Sequence, residues 1–452
     1  MNKRNKRMLL SLQFIPFVLT NGMNLFPILI FAHLFLTHRD ISHYVLPLIL
    51  YYSFKTTILF LVRIKPIRAS RLLQLSILIG IIGSFLGIFY EGNFYFGLIA
   101  GAMLGICSGL LYPSFLTVQL HEKTMNNFGT SKNDQFYSIG FALIFSVILF
   151  HLINYSIPLT FAFLGLNLML LLIIVSVYPH YEIEEEIEYP NYPVIESLFL
   201  FSVGFFSIFI IKGEKKLGVA NLLPVFFLFL VVMVIIYLVY LMKIKPERRL
   251  SPFLTQTIIF KGMLTNFILV FTTFNQLIRV GGKSLYVIYS LYLLAIIISP
   301  IIKKMLSKKY TEPSQIKIIK WGVISGLILV LWPTSYYLGV FLISLFSSQL
   351  NQQLNQYVYL NAELPKDFRL MAKFRLNNLG SIFHQIIMML IIYLVTVAFK
   401  TVTVDEIFMS YSYKQVDKSA FFTLDVTKWI LVTFFVLFIS ILEKQYQRKK
   451  TL

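Results

Sequence analysis

The sequence predicts an all-α polytopic membrane protein of about 14 transmembrane helices, arranged as two six-helix bundles with a helix pair inserted between them. Three observations carry this reading. Apolar stretches repeatedly reach the roughly 20 residues that a helix needs to cross a bilayer. Of the 452 residues, 57% are hydrophobic and only 13% charged. The charged residues collect in short segments that alternate between rich and poor in Lys and Arg, as the loops of a membrane protein do.

Taken in order, the basic MNKRNKR leads into an apolar stretch too long for a cleavable signal core, so it reads as a start-transfer span. The first six spans are expected near residues 8–36, 41–62, 72–90, 95–120, 136–155 and 157–178. Two more follow near 194–211 and 218–242. The last six lie near 252–274, 284–302, 316–333, 336–361, 376–399 and 426–443. The corresponding domains are an N-terminal bundle at 1–180, an acidic linker with the inserted pair at 181–250, and a C-terminal bundle at 251–452. A shift of about 239 residues lays LGICSGLLYPSFLTVQL over ISLFSSQLNQQLNQYVYL, a faint internal repeat of the kind that transporter halves carry.

With the amino terminus inside, the inner segments hold about 28 Lys and Arg and the outer ones about 10. Both termini are therefore placed in the cytoplasm and the chain in the cell membrane. The net charge of +20 is explained by topology, so no nucleic-acid partner is expected. The acidic run EIEEEIEY at 182–189 reads as a solvated linker. Asp405, Glu406, Asp417 and Asp425, on the outer segment after Lys400, read as a solvated cap. The single cysteine, Cys107, precludes a disulfide within the chain, and no Walker-type phosphate loop or metal-ligand spacing occurs. No cofactor is expected, and no catalytic nucleophile sits beside a base.

The most informative stretch is SSQLNQQLNQYVY, from Ser347 to Tyr359. Helical spacing puts Gln349, Gln352, Gln353 and Gln356 on one stripe, with Ser348, Asn351 and Asn355 on a second. Six amides in eight residues cannot stay unsatisfied in hydrocarbon. This helix is either an interhelical hydrogen-bond seam or the polar wall of a substrate pathway.

Other residues are candidates for the same pathway. Asn21 and Asn24 share a face of the first span with Gln13. Lys55 and Lys261 stand inside the second and ninth spans, where an unpaired cation is expensive and either snorkels or meets an anionic group. All acidic residues are expected in loops or near span ends, which leaves histidines, chiefly His384 and also His151 near the outer end of the fifth span, as candidates for proton coupling, since histidine titrates near neutral pH. Gly97, Gly101, Gly105 and Gly109 recur every fourth residue of the fourth span and predict close helix packing. Tyr112, Pro113 and Gln119 follow, and Pro113 removes a backbone donor there.

On the glycine-rich, Pro-terminated fourth span GLIAGAMLGICSGLLYPS and the segment LPKDFRLMAKFRLNNLGSIFHQ, the chain resembles the major facilitator superfamily in its fourteen-span form. The second segment is similar to that family's inner loop between core helices 10 and 11. The usual G-x-x-x-D-R signature is replaced by LVRIKPIRASR, and the fifth span lacks the Gly-Pro motif of drug antiporters. A peptide-transporter-like E-x-x-E-R signature is also absent from the first span. The resemblance implies a pathway lined by core helices 1, 4, 7 and 10, which would put Asn21, Tyr112, Asn266 and Gln353 around one cavity.

The function these features imply is secondary active transport, with export favoured, of a polar or amphipathic solute that carries an anionic group in one version of the reading. Its partners are then a small-molecule or lipid-like substrate and membrane lipids. Three alternatives remain open at this point: a flippase for lipid-linked polysaccharides, a membrane enzyme acting on lipid-linked substrates, and a non-transporting partner or immunity protein.

Overall fold

A computed structural model describes residues 14–37, 42–62, 67–126, 132–176, 197–206, 250–361, 364–400 and 418–451, with Val194 and Val231 as isolated positions. These residues are helical throughout apart from short turns. Nine helices among them are long and apolar enough to cross a membrane. The acidic run 182–189 and most of the inserted pair lie outside the described residues, as do Gln13, Asp405, Glu406 and Asp417. The chain divides into two compact units, one of residues 1–213 and 365–375 and the other of residues 214–364 and 376–452.

Unit 1 begins with α1 (Phe14–Gly22) and α2 (Phe26–Thr37), which together form the first span. The sequence predicts one continuous helix here, and the structure breaks it at Met23–Leu25. Gly22 and the Pro27 that opens α2 account for the interruption: proline lacks the N–H that a continuing helix needs and is preorganised for a helix start. Next come α3 (Leu46–Leu61), α4 (Ala69–Gly87), α5 (Phe94–Asn126), α6 (Lys132–Tyr155) and α7 (Ile157–Val175). The short α8 (Ser197–Phe206) sets Phe201 and Phe205 against Phe54 of α3.

The core of unit 1 is aromatic. Phe31, Tyr51, Phe145 and Phe161 are fully enclosed, and the Phe26 and Phe145 rings lie 4.7 Å apart. The glycine ladder of α5 packs as the sequence predicts. A Cβ on Gly105 would stand 2.5 Å from the Tyr51 carbonyl oxygen, and one on Gly109 2.6 Å from that of Lys55, so α5 lies directly on the backbone of α3. Leu143, Ile144 and Val147 of α6 are exposed, an apolar face suited to lipid.

Unit 2 starts with α9 (Pro252–Asn266), which passes through a π-turn at Phe267–Thr272 into α10 (Thr273–Val280). It continues through α11 (Lys283–Lys309), α12 (Glu312–Leu329), α13 (Tyr336–Asn361), the part of α14 (Lys366–Phe399) from residue 376 on, and α15 (Lys418–Thr451). Here too backbones touch at glycine. A Cβ on Gly262 of α9 would run into the Asn377 carbonyl oxygen of α14, and one on Gly380 into that of Ile259.

Two sequence expectations need correction. The inner loop expected before residue 376 is helical, because α14 starts at Lys366. The segment KDFRLMAKFRL contains no residue that stops a helix, and Pro365 stands just before its start, where proline is tolerated. Asp367 is therefore inside a helix and buried, 3.1 Å from His121 Nε2, and both belong to unit 1. Likewise, Asp425 lies within α15, where it binds Arg279 at 2.7 Å and Lys428 at 3.0 Å. It bridges α10 and α15 where a solvated cap is expected.

The His121–Asp367 pair gives a direct stability prediction. Asp367→Asn should destabilise the protein by about 1.5–3 kcal/mol, the usual worth of a buried hydrogen bond to a charged group. Chemical denaturation of parent, both single variants and the double variant checks it. A coupling energy near zero would show that the two side chains act independently.

Candidate functional site

The polar side chains picked out by the sequence fall into separate groups. In unit 1 they gather at the break in the first span. Asn21 Nδ2 donates back to the Phe17 carbonyl at 2.7 Å, closing the end of α1 on itself. Asn24 is turned to other helices: its carbonyl accepts from Lys55 Nζ at 2.9 Å and its Oδ1 from the Ser108 hydroxyl at 3.4 Å. The Tyr51 hydroxyl donates to the Met23 carbonyl at 2.9 Å and also lies 2.9 Å from Ser108 Oγ. Lys55 thus reaches a broken backbone segment and does not snorkel to an interface. Tyr112 is apart from this group, edge-on to Phe374 at 5.3 Å.

In unit 2 the amide stripe of α13 has mixed surroundings. Gln352 Nε2 donates to Ser299 at 3.2 Å, and Gln356 Oε1 accepts from Lys303 Nζ at 2.8 Å, so this side is tied to α11. Gln349 is only 1% exposed, yet neither of its amide atoms has a partner among the described residues. Gln353 is half-buried and likewise makes no hydrogen bond there. Among the described residues the stripe therefore combines a seam at Gln352 and Gln356 with a buried, unsatisfied amide at Gln349 and a half-buried Gln353.

Lys261 of α9 is 7% exposed, and its ammonium has no hydrogen-bond or ion-pair partner among the described residues. It adjoins Gly262, whose backbone touches Asn377 of α14. Asn377 Oδ1 and Gln385 Oε1 are likewise buried without partners among the described residues. Four residues on, Asn266 Oδ1 meets His384 Nδ1 at 2.8 Å. The His384 ring is closed in by Phe435, stacked at 5.8 Å, and Phe267, edge-on at 5.9 Å, and its Nε2 has no partner among the described residues. His384 is thus held as a packed, hydrogen-bonded ring.

Sequence reasoning missed several of these features. Tyr51 and Ser108 carried no signal, because their role depends on the break. The break itself was signalled by Asn21-Gly22 and by Pro27, turn and helix-start residues within an apolar run. Arg279 and Lys428 were passed over, yet Lys428 is buried and also donates to the Leu331 carbonyl at 3.0 Å. No group of three or more His, Cys, Asp or Glu able to hold a metal occurs among the described residues.

No protein-family model matches the sequence, and neither does any curated relative. Solved structures do match in fold. A peptide transporter POT in complex with sulfate is similar over 97% of this chain and 94% of its own, at 14% identity and a TM-score of 0.54. A structure from a study of substrate recognition in proton-dependent oligopeptide transporters is similar over 98% and 100%, at 14% identity and a TM-score of 0.54. A POT family transporter in complex with 5-aminolevulinic acid is similar over 96% of each chain, with the same identity and score. At this identity the likeness establishes the fold: the chain has the all-helical, polytopic architecture of these membrane transporters.

Proposed function

We propose that this protein is a secondary transporter that moves a polar solute bearing an anionic group by alternating access. The observation that carries the reading is Lys261, a buried ammonium with no protein counter-charge among the described residues. An intramembrane cation without a partner is costly and is retained where an anion passes. Among the described residues, the buried, unpartnered amide of Gln349 and the unpartnered side-chain oxygens of Asn377 and Gln385, with the half-buried Gln353, give such a solute further hydrogen-bonding groups in the same unit. In this reading Asn21, Asn24, Lys55, Tyr112, Asn266, Gln352 and Gln356 are further candidate pathway residues.

The transport fold, the charge bias of the loops and the faint internal repeat support two six-helix bundles at 1–180 and 251–452, with the pair at 181–250 between them. Both termini are then cytoplasmic, the membrane is the cell membrane, and export is the direction favoured by the fourteen-span layout. The packing of His384 supports a structural role for it, and its candidacy for proton coupling is tested by His384→Ala.

Flux into proteoliposomes tests the proposal, with a panel of labelled carboxylates, phosphates, sulfonates and lipid-linked sugars under imposed pH gradients. Saturable movement of a water-soluble anion, strongly reduced in Gln353→Ala and with its gradient dependence unchanged in His384→Ala, is the expected result. Movement of lipid-linked sugars alone would favour the flippase. Movement of neutral solutes in preference to anions would remove the role given to Lys261.

A further inference from the structure

Helix α11 runs for 27 residues, about 40 Å at the helical rise, so it outlasts the roughly 30 Å hydrocarbon core that it crosses. One side of it is taken by α13. Gln352 binds Ser299 and Gln356 binds Lys303, one turn apart on both helices, so this contact continues past Pro300 without a change of face.

The opposite side is open along its length. Val287, Leu294 and Ile301 recur every seventh residue at 43%, 43% and 37% exposure, and two helical turns bring each back to nearly the same direction. At about 100° per residue the same side continues as Lys304, Met305 and Lys308 in the last two turns. Met305 is exposed, and so are both lysines, neither of which has a hydrogen-bond or ion-pair partner among the described residues. Lys303, by contrast, is spent on Gln356. No Asp or Glu occurs in the sequence between Lys283 and Tyr310, so nothing on α11 itself offsets this charge.

One helix face is thus apolar and then cationic, the order of partners that a phospholipid meets from acyl chain to phosphate. Leu294 and Lys304 are ten residues apart, about 15 Å of helix, which is the depth of one leaflet.

We propose that the end of α11 binds an anionic phospholipid, with an acyl chain along Leu294 and Ile301 and the headgroup phosphate held by Lys304 and Lys308. A zwitterionic headgroup brings its own cation, which repels the two lysines; an anionic one does not. With both termini cytoplasmic, this end of α11 faces the cytoplasmic leaflet, whose surface is negative. The inference rests on the membrane fold and stands without the transport reading.

The test is thermal unfolding of the purified full chain in a neutral detergent, titrated with palmitoyl-oleoyl phosphatidylglycerol, the matching phosphatidylcholine, or inorganic phosphate. Phosphatidylglycerol should raise the unfolding temperature by several degrees with a saturable dependence, and the other two by less. In the double variant Lys304→Gln/Lys308→Gln the half-maximal effect should need about 30-fold more phosphatidylglycerol, the loss expected for two lysines at a charged lipid surface. Lys304→Arg/Lys308→Arg should titrate like the parent, and so should Lys283→Gln, an exposed lysine at the other end of α11. If the glutamine pair unfolds early without lipid, the single variants carry the test, each with about a fivefold loss.

Equal stabilisation by the two lipids overturns the proposal, as do glutamine variants that titrate like the parent. An equal loss in Lys283→Gln would show general charge attraction and also overturn it. Inorganic phosphate as effective as the lipid would remove the role of the apolar stripe. No solute is present in this measurement, so failure here leaves the transport reading standing, and a silent flux assay leaves this site standing.

Discussion

Replacing Gly262 with valine is expected to prevent unit 2 from reaching its native packing. The new side chain would have to occupy space already held by the backbone of Asn377, whose carbonyl carbon is 2.8 Å from the ideal Cβ position. A flexible side chain could swing away, but a helix backbone can yield only if α9 and α14 separate. Separation would also stretch the Ser381 hydroxyl from the Gly262 carbonyl, now 3.1 Å away, and His384 from Asn266. The cost should exceed about 3 kcal/mol, the upper range for an overpacked core. Size-exclusion profiles and thermal unfolding in detergent check this, with Gly140→Val as the control, since nothing lies within 4 Å of a Cβ there. Equal behaviour of the two variants would contradict the close crossing of α9 and α14.

Lys261→Met should change function and stability in opposite directions. If the ammonium binds the anionic part of the solute, its loss removes one member of a desolvated charge pair. Such truncations cost about 2–5 kcal/mol, or at least about 30-fold in affinity. In the free protein the same charge is buried without a partner, so an apolar chain of similar length relieves a desolvation penalty and should raise the unfolding temperature. A purely structural lysine would give the reverse, a lower unfolding temperature with flux falling only as folded protein falls. Parallel flux and thermal measurements on one preparation distinguish the two roles.

Much of the helix layout was legible because it rests on local pattern. The amide-rich stretch at Ser347–Tyr359 forms part of an uninterrupted helix, Tyr336–Asn361, as its spacing predicts. The Gly101, Gly105 and Gly109 ladder packs against a helix backbone for the same reason: small residues every fourth position clear one face. Charge density was a poorer guide to helix ends. The sequence around Asp367 is basic and polar enough to resemble a loop, yet it consists of good helix formers and continues α14 by about ten residues.

The missed side-chain pairings are long-range. His121 and Asp367 are 246 positions apart, and Lys428 reaches a carbonyl 97 positions away. No periodicity carries such pairings, and each residue alone resembles an ordinary surface charge. Lys55 shows the intermediate case. Its presence inside a span marked it as costly, but its partner could be found only once the first span was seen to be broken, because a continuous helix has no free carbonyl at Asn24.

The most direct test of the central claim is counterflow. Proteoliposomes are loaded with an unlabelled anion found to move in the flux panel, diluted into a trace of the labelled form, and followed without ATP or an ion gradient. Alternating access predicts a transient accumulation of label above equilibrium, because outward-moving unlabelled solute returns the binding site to the trace; Lys261→Met should lose most of it. Label that equilibrates without overshoot, at a rate indifferent to the internal load, would indicate a channel-like path and contradict the account.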